Sequence, residues 1–264
     1  MNDSTRTEKI ELRYDGNVAV ITNNNPAKHN AFDDAMDLRL TEILSELRGR
    51  NDVRAIVWRG EGKSFSSGRD VSALGGAAAG VSHHELMRRG IRGIQQIFEL
   101  EAPIIVAHHG WTIGGSFERA LLCDMRIAAE DARFMLPEVL HGVIPDTGGV
   151  ARLFQICGHG VASDLVLTGR TMDAQEAFSH GIVSRLVKKE VLDETVMDIA
   201  RKIASMPAAT VKMARRVIKQ LAEPEVRASM ELELIAQTFV NKSDDSREMR
   251  AAHTEKRPPK YTGS

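Results

Sequence analysis

The sequence predicts an α/β protein with a helical region at its C-terminal end. As far as about residue 190, short apolar runs typical of buried strands alternate with longer segments whose apolar residues recur at helical spacing. Beyond that point, amphipathic helical segments follow one another without strands between them. Such alternation favours a sheet covered by helices. Residues 1–190 are therefore expected to form the core that holds an active site, and residues 191–264 an appended helical region.

The first strands and helices are marked by turn signals and by apolar periodicity. Residues 10–22 contain a turn signal at residues 15–17 between two strand-like runs, which predicts a hairpin. A helix is expected from about Asp33, because apolar residues recur at helical spacing in the segment that follows. Further strands are predicted at residues 54–58, 103–107 and 125–128, with helices that begin near Ser82 and Gly115.

The C-terminal region is predicted to be entirely helical. Its four helical segments are residues 191–205, 208–221, 225–240 and 245–254. The first carries a clear apolar stripe that runs from Leu192 to Ile203. Helices of this kind must bury their stripes against the core or against another subunit.

Composition and charge exclude several classes of partner and compartment. A formal net charge of -1 gives no reason to expect nucleic acid or an anionic membrane as a partner. No segment approaches the ~20 apolar residues that span a bilayer, and residues 1–9 are too polar for a secretory signal. Cys123 and Cys157 are expected to be free thiols, as is usual in the reducing cytosol. A cytoplasmic protein is therefore expected.

Several familiar site motifs fail on inspection of the sequence. Residues 62–64 read Gly-Lys-Ser, but a phosphate-binding loop needs a glycine where Val57 stands. The adjacent histidines at residues 83–84 and 108–109 would point to opposite faces of a strand, so no metal site is expected. The Gly-x-Ser-x-Gly elbow does not occur, which argues against a serine hydrolase of that type.

Glu118 and Glu138 are the strongest candidates for chemistry. Glu118 follows a glycine-rich turn at residues 113–116, and Glu138 follows an apolar run at residues 134–137. Two carboxylates in one site repel each other, which pushes their pKa values apart and lets one act as acid while the other acts as base. Most glutamates are solvated surface residues, so the pair predicts acid/base chemistry only if both face one cleft.

Two small-residue turns, at residues 65–70 and 113–116, are candidates for binding an oxygen atom. Glycine lets the backbone approach a ligand, and a peptide N–H at the start of a helix points outward with a partial positive charge. Two such donors that meet at one oxygen would form an oxyanion hole, worth ~3–4 kcal/mol per donor. The residues by themselves favour two ordinary tight turns.

Five sequence blocks in a fixed order carry a resemblance to a known family. They are residues 25–31 (NPAKHNA), 65–71 (FSSGRDV), 109–118 (HGWTIGGSFE), 123–124 (CD) and 132–138 (ARFMLPE). The set resembles the crotonase superfamily, typified by enoyl-CoA hydratases and isomerases, over nearly the whole chain. The resemblance implies a spiral of β-β-α repeats with a C-terminal helical region that builds homotrimers or dimers of trimers. It also implies a coenzyme A thioester as the substrate, rather than a bound cofactor.

The resemblance also implies roles for single residues. The backbone N–H groups of Arg69 and Gly115 match the oxyanion donors, and Glu118 and Glu138 match the glutamates that activate and deliver water in the hydratases. Residues that match the segments along the adenine, pantetheine and thioester path are Lys28, His29, Ala31, Ser67, Gly68, Asp70, Val71, Ile113, Gly114, Pro137 and Asp146. Hydration of an enoyl-CoA thioester is the activity that this match implies.

Two departures from the family pattern leave alternatives open. Arg69 stands where hydratases usually carry alanine, so its side chain needs a partner or solvent, although the backbone donor is retained. Asp146 stands where several isomerases of the family carry aspartate, and it either moves a proton between carbons or caps the following helix. The alternatives to a hydratase are a double-bond isomerase of enoyl-, dienoyl- or ring-containing CoA esters that uses Asp146, and a non-catalytic trimeric scaffold that binds CoA esters.

Overall fold

The computed structural model describes residues 8–70 and 83–264, so that Val71 and the helix start expected at Ser82 lie outside the described residues. The strands are β1 (Ile10–Asp15), β2 (Val18–Asn23), β3 (Ala55–Gly60), β4 (Ile104–His108), β5 (Trp111–Ile113), β6 (Met125–Ala129), β7 (Arg133–Met135), β8 (Thr171–Asp173) and β9 (Arg185–Val187). The helices are α1 (Asp34–Arg48), α2 (His83–Glu99), α3 (Gly115–Leu121), α4 (Gly149–Thr168), α5 (Ala174–Ser179), α6 (Leu192–Ala204), α7 (Ala208–Ala222), α8 (Pro224–Val240) and α9 (Asp244–Glu255).

The described strands form two sheets. The larger has six strands in the order β1-β2-β3-β4-β6-β9. Its first two strands form the predicted antiparallel hairpin, and every other neighbouring pair is parallel. The smaller sheet has three strands in the order β5-β7-β8. The α/β class predicted from the alternation of strands and helices is confirmed.

Each turn of the chain contributes one strand to each sheet and then a helix. β4 joins the larger sheet, β5 the smaller, and α3 returns the chain to β6, after which β6, β7 and α4 repeat the pattern. In the preceding turn Ser66 extends the smaller sheet, because it forms an isolated parallel bridge with Thr112. The spiral of β-β-α repeats implied by the resemblance is thus present.

Both faces of the larger sheet are buried, which explains the continuous apolar runs in its strands. Successive side chains of a strand point to opposite faces. Ile56 and Trp58 of β3 therefore join one core with α1, α2 and α8, whereas Ala55 and Val57 join a second core with α6. A third core lies between α3, α4, α5 and the smaller sheet. The helix that carries Glu118 is consequently packed against buried apolar residues on one side.

The C-terminal helices begin and end within one residue of the predicted positions. Two of them bury their stripes in the α/β body: α6 packs on the larger sheet, and α8 contributes Val226, Met230 and Leu234 to the core shared with α1 and α2. Helix α7 is attached by Arg215, whose guanidinium donates to the two carboxylate oxygens of Asp124 at 2.8 and 2.9 Å. The division of the chain at residue 190 stays a prediction.

The two cysteines are free thiols, as predicted. Cys123 is buried just beyond the end of α3, whereas Cys157 is half-buried within α4. Burial raises the pKa of the Cys123 thiol to about 12, so this thiol is not in its nucleophilic form at neutral pH.

Candidate active site

Helix α3 places Glu118 inside the protein. Gly114, directly before the helix, adopts a positive φ of 57° and donates its N–H to the Met135 carbonyl at 2.9 Å. A glycine suits this backbone region because it has no Cβ atom to clash. Helix α3 then begins at Gly115, and Glu118 lies in its first turn with only 1% of its surface exposed.

The carboxylate of Glu118 caps the start of α4. Its Oε2 atom accepts hydrogen bonds from the N–H groups of Thr147 and Gly149, both at 3.1 Å, and its Oε1 atom accepts a longer one from the Asp146 N–H at 3.4 Å. Peptide donors at a helix N-terminus stabilise negative charge. The close approach depends on a glycine, since a Cβ atom on Gly149 would lie 2.4 Å from Glu118 Cγ.

Asp146 does not cap α4, so that one of the two roles considered for it is wrong. Helix α4 begins at Gly149, later than expected, and its N-cap residue is Gly148. The Gly148 N–H is bound instead by Glu233 of α8, whose Oε2 atom accepts it at 2.7 Å. Because Glu118 and Glu233 satisfy the start of the helix, the Asp146 carboxyl group is available for another role.

Glu138 reaches the same region from a short 3-10 turn, Glu138–His141, whose N-cap residue is Pro137. Its Oε1 atom lies against the glycine turn, because a Cβ atom on Gly114 would come within 2.8 Å of it. Its Oε2 atom is buried and has no hydrogen-bond partner among the described residues. A buried carboxylate oxygen without a donor disfavours the ionised form.

Burial raises the pKa values of four carboxyl groups in this region, and the charges of neighbouring carboxylates raise three of them further. Burial, and then the charge of Asp146, raise the pKa of Glu138 to about 7. Burial and the charge of Glu233 raise the pKa of Asp146 to about 7 as well, against the opposing effect of Arg119. Burial and the other three carboxylates raise the pKa of Glu118 well above its ordinary value, although its peptide donors act in the opposite direction. At neutral pH the cluster therefore holds protons as well as charges, as an acid/base pair requires.

The two small-residue turns lie side by side. Ile113 donates its N–H to the Ser66 carbonyl at 3.0 Å, and a Cβ atom on Gly68 would lie 2.7 Å from the Ile113 carbonyl oxygen. Within the described ranges, neither the Arg69 N–H nor the Gly115 N–H donates a hydrogen bond. A Cβ atom on Gly115 would meet no atom within 4 Å, so this peptide borders open space.

The Arg69 side chain is bound by α1, which leaves the backbone donor beside it intact. Its guanidinium forms ion pairs with Asp34 and with Asp37, the second at 2.6 Å. Asp37 also binds Arg119 of α3 at 2.7 Å. One carboxylate thus links the turn that carries the Arg69 N–H to the helix that carries Glu118.

The residues implied for the coenzyme A path also lie together. The Ser67 N–H donates to the His29 carbonyl at 2.8 Å, and the Lys28 ammonium pairs with the Asp70 carboxylate at the same distance. The Lys28 side chain is 58% exposed, whereas Ala31 is buried beneath the same segment. The blocks that contain these residues, far apart in sequence, therefore form one continuous surface.

Glu233 is the one member of the carboxyl cluster that the sequence motifs do not mark. It is nevertheless detectable from periodicity, since it recurs at helical spacing with Val226 and Met230 on the buried face of α8. A glutamate on the inner face of an amphipathic helix indicates a buried polar contact.

Among the described residues, no group of three or more His, Cys, Asp or Glu side chains is arranged to hold a metal ion. No helix within them is long and apolar enough to cross a membrane.

Solved structures share the fold of the whole chain. An enoyl-CoA hydratase/isomerase from Pseudoalteromonas atlantica T6c matches it with a TM-score of 0.88 at 30% identity, over 96% of this chain and 100% of that one. Fold and site together define a protein of the crotonase class, in which buried carboxyl groups lie beside a pair of strand-to-helix turns.

The chain belongs to the enoyl-CoA hydratase/isomerase family, whose model matches residues 13–264. A probable enoyl-CoA hydratase of Mycobacterium bovis is 33% identical over 258 residues, which cover 97% of this chain and 98% of the relative. A carnitinyl-CoA dehydratase of Escherichia coli O157:H7 is 31% identical over 262 residues, which cover 97% of this chain and 99% of the relative. The resemblance carried by the five sequence blocks is thereby confirmed.

Proposed function

We propose that the protein is an enoyl-CoA hydratase that adds water across the 2,3 double bond of an enoyl-CoA thioester. The observation that carries the proposal is the placement of two proton-exchanging glutamates, Glu118 and Glu138, around the turn that ends in Gly115. Membership of the enoyl-CoA hydratase/isomerase family supports a coenzyme A thioester as the substrate.

In this proposal the N–H groups of Arg69 and Gly115 bind the thioester carbonyl oxygen. Attack of water at C3 moves the electron pair of the 2,3 double bond towards that oxygen and forms an enolate. Fixed peptide donors stabilise the developing charge without having to reorganise. The enolate then takes up a proton at C2, so the product has gained one water and the thioester is intact.

The environments of the two glutamates suit them to different halves of this reaction. Glu118, with peptide N–H donors on both oxygens, is suited to carry charge and to accept a proton from the attacking water. Glu138, with one buried oxygen that lacks a donor, is suited to hold a proton and to deliver it to C2. After one turnover Glu118 holds the proton taken from water and Glu138 is ionised, so transfer of that proton to Glu138 through a water molecule restores the pair.

The coenzyme A portion is proposed to follow the surface formed by the blocks at residues 25–31 and 65–71. The exposed Lys28 ammonium supplies a cation there for a phosphate group. His29 is exposed and Ser67 is half-buried, so these two residues are proposed to border the path of the adenine and pantetheine parts.

The proposal is tested with a panel of trans-2-enoyl-CoA esters of increasing chain length. Loss of the conjugated thioester absorbance, together with a mass gain of one water, is the expected result. A product of unchanged mass would instead identify an isomerase. Absence of turnover over the whole panel would count against hydration.

Double-bond isomerisation is the second candidate function, and Asp146 is the observation that favours it. This carboxyl group has a pKa raised to about 7 and does not cap α4, so it is able to move a proton between carbons of the acyl chain. We expect Asp146→Asn to lower isomerisation by about 10²-fold or more, while hydration by Glu118 and Glu138 persists. Mass spectrometry of the products separates the two reactions.

A matched control for Asp146→Asn is Asp198→Asn, because Asp198 is an exposed aspartate on α6. This variant should leave both reactions unchanged. If Asp146→Asn abolishes both hydration and isomerisation, the assignment of hydration to Glu118 and Glu138 and of isomerisation to Asp146 is wrong.

Assembly into a homotrimer or a dimer of trimers is proposed from the outer faces of α7 and α8. Large apolar side chains are exposed there: Met213, Val217, Ile218, Leu221, Leu232, Ile235 and Phe239. Exposed apolar patches of this size mark interaction sites, and a second copy of the chain is the partner that the family resemblance favours.

We expect light scattering to give three or six times the mass of one chain. Leu221→Asp should shift the protein towards the monomer, because it buries a charge in the proposed interface. Leu38→Asp, at an exposed position on α1, is the matched control and should leave the mass unchanged. A wild-type monomer at micromolar concentration would contradict the proposal.

A further inference from the structure

We propose that Glu233, a residue of the C-terminal helix α8, is a positioning residue of the active site that holds the Asp146 carboxyl group in place as a proton donor. The inference rests on the second candidate function, isomerisation, in which Asp146 moves a proton between carbons of the acyl chain. It extends the site to the C-terminal helical region, which was expected to pack against the core or to build the oligomer.

Glu233 is held between its own helix and the loop that carries Asp146. Its Oε1 atom accepts a hydrogen bond from the Ser229 hydroxyl at 2.8 Å, and its Oε2 atom accepts the Gly148 N–H at 2.7 Å. Only 7% of its surface is exposed. Burial raises the pKa of Glu233, and these two hydrogen bonds act in the opposite direction because they stabilise its charged form.

The loop between Asp146 and Gly149 is fixed from two sides. Glu118 binds its N–H groups from α3, and Glu233 binds the remaining one from α8. Gly148 can be reached in this way because it has a positive φ of 86° and no side chain, and a Cβ atom there would lie 2.9 Å from Met230. The position of the Asp146 carboxyl group thus depends on a contact between α8 and the start of α4.

The charges that face Asp146 come from every element around it. Glu118 lies on α3, Glu138 on its 3-10 turn, Glu233 on α8, and the one described cation that acts on Asp146 is Arg119 of α3. Arg119 is already paired with Asp37. Burial and then the charge of Glu233 favour the protonated form of Asp146, which agrees with its raised pKa.

A purely structural cap and a positioning residue predict different results for Glu233→Gln. Glutamine keeps an acceptor for the Gly148 N–H and is nearly the same size, but it removes the charge. If Glu233 serves only to hold the helix start, the variant should behave as wild type. If its charge keeps Asp146 protonated, the pKa of Asp146 should fall by about one unit, because a nearby like charge has been removed.

The first test uses the ligand-free protein and infrared spectroscopy with ¹³C-labelled aspartate. The carbonyl stretch of protonated Asp146, identified by its loss in Asp146→Asn, is followed against pH. At pH 7 the protonated fraction should fall from about one half in the wild type to about one tenth in Glu233→Gln. Glu231→Gln, an exposed position on the same helix, is the matched control and should leave the titration unchanged.

The second test measures the pH profile of kcat/KM for double-bond isomerisation of a CoA ester, the reaction assigned to Asp146. Its basic limb should move down by about one pH unit in Glu233→Gln, because the donor loses its proton earlier. An unchanged Asp146 titration overturns the inference. Since that titration needs no substrate, failure to convert any CoA ester would overturn the proposed function and leave the titration result standing.

A second variant keeps the test decisive if Glu233→Gln does not fold. Ser229→Ala removes one of the two donors to Glu233 and leaves the Gly148 contact in place. The negative charge on Glu233 is then less stabilised, so the Asp146 titration should move in the same direction by a smaller amount. A shift in the opposite direction would contradict the inference.

Discussion

Replacing Glu138 with glutamine is expected to lower kcat for hydration by roughly 10³-fold, because a positioned acid or base contributes about 10²–10⁴-fold to the rate. Glutamine keeps the size and one acceptor oxygen but has no proton to give to C2. Glu118→Gln is expected to cause a loss of similar size, since an amide does not accept a proton from water. The measurement is kcat and KM on a 2-enoyl-CoA ester, with little change expected in KM.

The same Glu138→Gln substitution is expected to stabilise the fold at alkaline pH. In the folded chain the Glu138 pKa is raised from 4.5 to about 7, so the protonated form contributes stability that is complete below pH 4.5 and is lost as the pH rises through 7. Glutamine never ionises and does not lose this contribution. The free energy of unfolding in urea should exceed that of the wild type by about 1–3 kcal/mol at pH 8, and by little at pH 5.

Glu130→Gln is the matched control for both measurements, because Glu130 is an exposed glutamate at the end of β6. It should change neither turnover nor stability. Glutamine variants of Glu118 and Glu138 that fold, assemble and retain every activity would favour the non-catalytic scaffold. A stability difference that does not vary with pH would show that Glu138 is not in the desolvated setting described above.

Gly149→Ala is expected to destabilise the fold by about 3 kcal/mol, because overpacking a filled site forces side chains and backbone to move. A Cβ atom at this position would lie 2.4 Å from Glu118 Cγ and 2.8 Å from Glu118 Cα. The glutamate must therefore shift away from the N–H groups that hold it. Since displacement of a catalytic group by about 1 Å costs roughly 10²-fold in rate, kcat should fall by at least that factor.

Gly160→Ala provides the comparison in the part of α4 that follows its kink at Gly158. A Cβ atom on Gly160 would meet nothing within 4 Å, and its φ is not in the left-handed region. Alanine should therefore stabilise α4 at this position by about 0.5 kcal/mol and leave kcat unchanged. Thermal unfolding and turnover of both variants test the close contact between Gly149 and Glu118. Equal changes in stability and kcat for the two variants would contradict this contact.

Local pattern was sufficient to predict most of the fold. The run at residues 55–58 of β3 is apolar throughout because both faces of the larger sheet are covered, and the sequence shows this without any knowledge of the partners. The four C-terminal helices were located to within one residue because their apolar stripes and breaks are local signals. The predicted start of α4 was slightly too early. The reason is that Glu118, whose carboxylate binds N–H groups at the start of this helix, lies in a distant segment of the chain.

The site was predictable only where a motif marks it. Glu118 and Glu138 were found from their sequence blocks, and their roles and those of the Arg69 and Gly115 N–H groups remain proposals. The sequence did not predict which residues bind the Arg69 side chain or which residues cap α4. Arg119 meets Asp37 across 82 residues of sequence, and Glu233 meets Gly148 across 85.

Local sequence patterns were enough to predict the hairpin, the strands β3, β4 and β6, most of the helices and the family resemblance. The smaller sheet, β9 and α5 were not predicted. The packing of distant elements decided that Glu118 and Glu233 bind the N–H groups of one loop from opposite sides. It also decided that the Asp146 carboxyl group takes no part in capping α4. The physical reason is that periodicity records the burial of each residue along its own element. Which buried charge meets which peptide donor is set by how distant elements pack.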